Sequence, residues 1–113
     1  MILDKKHALQ QKLFRQFAET EFTKELQDEL DLTGEFNWEM HKKMARYGFM
    51  GTKIPAEYGG AGGDSLSYVL MDEEFARQDL VLAIYANTSN SLGGGPLMLA
   101  GSKEQKEKYL PLV

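Results

Sequence analysis

Apolar residues fall at Leu9, Leu13, Phe14, Phe17, Phe22 and Leu26, with Lys, Gln and Glu between them. Intervals of threes, fours and fives predict one amphipathic helix over Asp4–Leu26, with Asp4 as its N-cap. No Gly or Pro interrupts that segment. The polar stretch Gln27–Glu35, which contains Thr33-Gly34, is expected to end helical structure. Asn37 then caps a helix over Trp38–Tyr47, with Met40, Met44 and Tyr47 at helical spacing. Gly48 stands in the left-handed position that commonly closes a helix.

Phe49–Ile54 is short and apolar and reads as extended until Pro55 and the following glycines stop it. Asp64 or Ser65 caps Leu66–Gln78. Asp79 caps Leu80–Leu92, which is apolar nearly all round in its first two turns and is expected in the centre of a bundle. Gly93-Gly94-Gly95 is expected to break the chain, with Pro96 at a first helical position before a short helix ending at Gly101. Ser102 and Gln105 form a capping box for Lys103–Leu110, which Pro111 stops. The expected fold class is all-α, a bundle of five to six helices in one domain covering residues 1–113.

Composition narrows the chemistry. With 42% apolar and 27% charged residues over 113 positions, the chain has the make-up of a folded globular domain. The absence of cysteine removes disulfides, thiolate metal sites and a cysteine nucleophile. A net charge of −4 gives no electrostatic reason to expect nucleic acid. Met1 to Lys6 lacks the apolar run of a signal peptide, and Leu80–Ala86 is far too short to span a bilayer. A cytoplasmic protein without membrane association is expected. The apolar ending Tyr109-Leu110-Pro111-Leu112-Val113 is expected to be a cut, with more protein normally following.

Few residues point to chemistry. Gly59-Gly60-Ala61-Gly62-Gly63 lacks the Lys-Ser/Thr of a phosphate loop and reads as a tight loop packed on its neighbours. Asp72, Glu73 and Glu74 diverge by about 100° each on a helix, so they do not converge on one atom. Glu73 and Arg77, four apart, suit a structural ion pair. His7 and His41 lie among lysines, without metal-ligand spacing. Ile84, Thr88 and Leu92 are four apart and share a helix face with a short residue in its middle. Either that face lines a ligand pocket or another helix fills the space.

The segments Tyr47-Gly48-Phe49-Met50-Gly51 and Ile54-Pro55-x-Glu57-Tyr58-Gly59-Gly60-x-Gly62 occur in order with Glu73-Glu74-Phe75-Ala76-Arg77. Asn90-Ser91-Leu92-Gly93, Pro96 and the run Gly101–Pro111 follow. In this order and spacing they resemble the N-terminal helical domain of the acyl-CoA dehydrogenase family. Within the family the chain is most similar to the anaerobic short-chain dehydrogenases and caffeoyl-CoA reductase-like members. The shared features there are Gly62-Gly63-Asp64 and Asn90-Ser91-Leu92-x-Gly94-Gly95-Pro96.

The resemblance implies an FAD enzyme of three parts: this helical domain, a middle β domain and a C-terminal four-helix domain. It implies acyl-CoA as substrate, an electron-transferring flavoprotein as partner and a homo-oligomer, expected as a tetramer, for the complete enzyme. The family's catalytic glutamate comes from the C-terminal domain, so no catalytic residue is expected in this chain. The acyl-chain pocket carries over to Ile84, Thr88 and Leu92, with Tyr85 as a neighbour. Bulk there limits acyl length, each buried methylene being worth about 0.8 kcal/mol, and a short-chain or short unsaturated acyl group is expected. The alternative is a stand-alone helical interaction module without catalysis.

Overall fold

A computed structural model describes residues 3–112. Met1, Ile2 and Val113, which entered the reading of the two chain ends, lie outside the described residues. Within them the chain is all-helical: α1 (Lys5–Glu21), α2 (Lys24–Thr33), α3 (Trp38–Arg46), α4 (Ser65–Gln78), α5 (Leu80–Asn87), α6 (Gly94–Ala100) and α7 (Lys103–Tyr109). A π-helical turn, Thr88–Gly93, joins α5 to α6 without interruption. Short 3-10 turns occur at Phe49–Gly51, Ala56–Tyr58 and Leu110–Leu112.

Three boundaries differ from the sequence pattern. The first helix ends at Glu21, and Thr23 caps a new one by accepting from the Leu26 amide. The expected polar linker is therefore mostly α2, which has no buried residue and ends at left-handed Gly34. Phe49–Gly51 is a 3-10 turn and not extended chain. The three glycines do not break the helix, and Gly94 lies where a side chain would collide. A Cβ there would lie 2.7 Å from the Ser89 carbonyl oxygen and 3.2 Å from the Ile54 side chain. Pro96 consequently sits inside the continuous rod. The wide π turn precedes it, where a proline ring would otherwise press on the carbonyl four residues back.

Phe14, Phe17, Phe22, Phe49 and Phe75 form the centre of the core. Their rings meet mostly edge to face, with Phe17–Phe49 at 4.8 Å and Phe22–Phe75 at 5.1 Å between centroids. This aromatic wedge fastens α1 along α4, with Met44 and Met71 fully buried beside it. Leu9 and Leu13 of the expected apolar stripe stay exposed. Leu13 lines a cavity of about 350 Å³ with Phe14, Phe17, Tyr47 and Phe49.

Polar residues fix the same helix pair. Glu74 is 2% exposed and accepts from Arg15 Nε at 3.1 Å, Arg15 Nη2 at 3.2 Å and Gln11 Nε2 at 3.2 Å. Arg15 holds its carboxyl below the ordinary carboxylate range. The ion pair is thus made by Glu74, whose position on α4 faces α1, while Glu73 is exposed and the expected Glu73–Arg77 pair is not formed. Arg77 instead reaches Glu19 at 3.4 Å.

His7 is buried, contrary to its expected place on a polar face. Its Nδ1 lies 2.7 Å from Asp4 and its Nε2 2.9 Å from Asp64. Those carboxylates are the N-caps of α1 and α4, so one imidazole ties two helix starts together. The Asp64 and Asp4 hydrogen bonds raise the His7 pKa above 6.5. The Ser67 backbone and side-chain hydrogen bonds, with His7 after them, lower Asp64 to about 2.

The glycine loop is closed on itself. Ala61, Gly62 and Gly63 donate their amides to the carbonyls of Gly51, Ile54 and Thr52 at 2.8, 2.9 and 2.6 Å. A Cβ on Gly60 would fall 2.0 Å from the Ile54 oxygen, so only glycine permits this approach.

Two outcomes follow from these contacts. The raised His7 pKa stabilises the fold fully below pH 6.5, and this contribution is lost as pH rises through the folded value. The lowered Asp64 contributes above 3.8, and this is lost as pH falls toward about 2. Urea unfolding across pH will therefore show greatest stability between these limits, and His7→Gln will flatten the neutral side of the profile. Gly60→Ala will lower stability by about 1–3 kcal/mol in the same assay.

Candidate functional site

The open side of the fold is built by α5. Leu82, Ala83 and Ala86 are buried against the rest of the domain, whereas Val81 is 48% and Ile84 47% exposed. The helix is therefore half-covered and not central as its apolar sequence predicts. Its free face forms one side of a cavity of about 330 Å³ lined by Phe36, His41, Val81, Ile84, Tyr85, Thr88 and Ser89.

Three of the four residues picked from the sequence meet here: Ile84, Tyr85 and Thr88. Leu92 lies outside the lining and is 69% exposed. Thr88 Oγ1 donates to the Ile84 carbonyl at 2.9 Å, so its hydroxyl is paired within its own helix.

The remaining walls come from residues that helix spacing did not single out. Phe36 precedes the cap residue Asn37, and its ring stacks on Tyr85 at 4.2 Å between centroids and 18° between planes. His41 lies 5.6 Å from Phe36 and 5.7 Å from Trp38. It belongs to an aromatic cluster and not to a lysine-rich surface. A signal for Phe36 and His41 does exist in the sequence. They flank the Asn37 cap at the two positions of a hydrophobic staple, before the cap and four residues into the helix. Tyr85 Oη accepts from the Asn37 amide at 3.0 Å, pinning this linker to α5.

Asn90 holds the other end of the wall. It is 1% exposed, donates Nδ2 to the carbonyls of Phe49 and Ala86 at 2.8 and 3.0 Å, and accepts from the Lys53 amide at 3.1 Å. One amide thus bolts the π turn to the chain after α3. The acidic triplet diverges as its spacing requires. Glu73 is exposed, Glu74 lies under Arg15, and Asp72 is half-buried with one carboxylate oxygen unpaired and its pKa raised by burial.

This half-open helical domain matches known proteins along its whole length. Residues 4–113 match the model of the acyl-CoA dehydrogenase N-terminal domain. The chain belongs to the acyl-CoA dehydrogenase family, as its N-terminal domain. It is 50% identical to the CarC subunit of the caffeyl-CoA reductase–Etf complex of Acetobacterium woodii, over 100% of this chain and 30% of that protein. It is also 50% identical to a 3-(aryl)acrylate reductase of Clostridium sporogenes, with the same two coverages. Among solved structures, one concerned with the electron transferring flavoprotein of Acidaminococcus fermentans contains a chain that superposes with a TM-score of 0.87. That match has 33% identity and covers 98% of this chain and 29% of the other. The chain therefore spans about 30% of the length of the relatives it matches.

Replacing Asn90 by Asp removes the donor to two carbonyls and brings a charge into a buried site. Asn90→Asp is expected to cost about 2–3 kcal/mol in chemical unfolding.

Proposed function

We propose that this chain is the acyl-side wall of the active-site cleft in a flavin-dependent acyl-CoA dehydrogenase. The complete protein would catalyse α,β-dehydrogenation of an acyl-CoA thioester or the reverse reduction of an enoyl-CoA. The observation that carries this reading is the apolar cavity formed by Ile84, Tyr85 and Thr88 on the uncovered face of α5. Membership of the family supplies the reaction class, and two reductases among the relatives favour the reductive direction.

The chain's own contribution is binding and exclusion of water. Val81 and Ile84 present hydrocarbon, and the Thr88 hydroxyl is already paired, so little here competes for a polar group. An acyl tail seated against this wall leaves water, while its thioester end points toward the chemistry. Specificity for tail length then depends on how far side chains intrude, at about 0.8 kcal/mol per methylene.

The electron chemistry belongs to a flavin, expected as FAD. The glycine loop does not fit the pyrophosphate of such a dinucleotide, because Ala61, Gly62 and Gly63 already spend their amides on backbone carbonyls. We assign the flavin to parts of the complete protein outside this chain, and derive no step through it. The α-proton base is assigned there too, since Asp72, Glu73 and Glu74 face apart and none lines the cavity. An electron-transferring flavoprotein is the proposed electron partner, supported by the Etf complex to which one relative belongs. A homo-oligomer in the cytoplasm acting on short or short unsaturated acyl groups completes the reading.

The test is a wall substitution in the complete flavin-loaded protein. Ile84→Trp is expected to lower kcat/KM for a six-carbon thioester about tenfold more than for a four-carbon one, two methylenes being excluded. An unchanged chain-length preference would overturn the assignment of this wall.

A further inference from the structure

We propose that Phe36 is the stop that ends the acyl hollow on α5 and so sets how long a tail this wall accepts. The inference names a specificity-determining residue for the reaction proposed above and rests on that reading.

The hollow of about 330 Å³ on α5 has a neighbour of about 340 Å³, and both are lined by Phe36, Val81 and Tyr85. Ile84 and Thr88 line only the first, whereas Leu30 and Asp31 line only the second. The shared residues are therefore the partition between two spaces along one helix. Val81 and Tyr85 belong to α5 itself. Phe36 alone reaches it from outside, out of the linker between α2 and α3. Truncating that one side chain removes the part of the partition that does not belong to the wall.

A stop must resist being pushed aside, and this ring is held by three others. It stacks on Tyr85 at 4.2 Å, meets Trp38 at 4.7 Å with 62° between planes, and lies 5.6 Å from His41. The linker that carries it is pinned as well. The Asn37 amide donates to Tyr85 Oη at 3.0 Å, and Asn37 Oδ1 accepts from the Met40 amide at 2.9 Å. A tail that passes Phe36 must break these aromatic contacts, each of which opposes the displacement.

Beyond the stop there is room that hydrocarbon can use. Leu30 and Val81 supply apolar surface to the second hollow, while Asp31 and Glu35 in the same lining are exposed. Full burial of a methylene is worth about fourfold in affinity. A tail entering the second hollow is covered only in part, so each added carbon gains less than that. With Phe36 in place the gain is not available, because the carbons beyond the first hollow have no apolar surface to reach.

The experiment measures Kd for butyryl-CoA and octanoyl-CoA by titration calorimetry on the complete, flavin-loaded protein. The wild type is expected to bind octanoyl-CoA no more tightly than butyryl-CoA. Phe36→Ala should tighten octanoyl-CoA about fivefold to tenfold and leave butyryl-CoA within about twofold. Phe36→Leu should act in the same direction with a smaller gain, and serves if Phe36→Ala does not fold. Asp31→Trp fills the second hollow, so it should change neither thioester alone and should cancel the gain when combined with Phe36→Ala. A ring that only packs the linker would, when truncated, weaken both thioesters together, and that result overturns the stop. So does a gain that Asp31→Trp leaves intact. If octanoyl-CoA gains nothing in Phe36→Ala while Ile84→Trp shifts chain-length preference, the stop falls and the wall stands. If neither substitution shifts it, the wall falls and the stop with it.

Discussion

One-sided burial of α5 is the constraint on which the remaining architecture turns. The helix is apolar nearly all round, yet the domain covers only the face carrying Leu82, Ala83 and Ala86. Covering the other face as well would stabilise the domain, because each buried aliphatic side chain is worth about 1.5–3 kcal/mol. Within this chain that face stays open at Val81 and Ile84. The small residues on the covered side let α5 lie close to α4, which keeps the open face firmly backed.

The polar groups of the domain tie this helix to its neighbours. Asn90 satisfies backbone groups on both sides of the π turn and so fixes where α5 ends. Tyr85 performs the corresponding task at the linker before α3. Farther away, His7 joins the caps of α1 and α4, and Glu74 lies between the same two helices under Arg15. Each of these groups bridges segments distant in sequence, so each favours one arrangement of the rods over others of similar burial.

The glycine-rich loop belongs to this scaffold and not to the chemistry. Its amides pair with the carbonyls of residues 51–54, and Gly60 passes against Ile54 more closely than any side chain would allow. Ile54 in turn touches Gly94 at the junction of the π turn and α6. Two glycine clusters far apart in sequence thus serve one packing point, which positions the end of the wall.

The all-α class, the caps at Asp4, Asn37, Asp64, Asp79 and Ser102, and left-handed Gly48 were legible in the residues. So was the placing of Ile84 and Thr88 on one surface. All are consequences of neighbours within a turn or two, where hydrogen-bonding groups and side-chain spacing decide. The break at Phe22, the continuity through Gly93–Gly95, the partner of Glu74 and the burial of His7 were not legible. Each is settled by a segment remote in the chain, whose contact outweighs propensities of about 1 kcal/mol or less per residue. The sequence by itself therefore determined the all-α class and the local caps. Tertiary structure alone decided that Leu92 lies outside the cavity lining and that Phe36 and His41 belong to it. The reason is that a linker's rings acquire a place only once α5 is there to receive them.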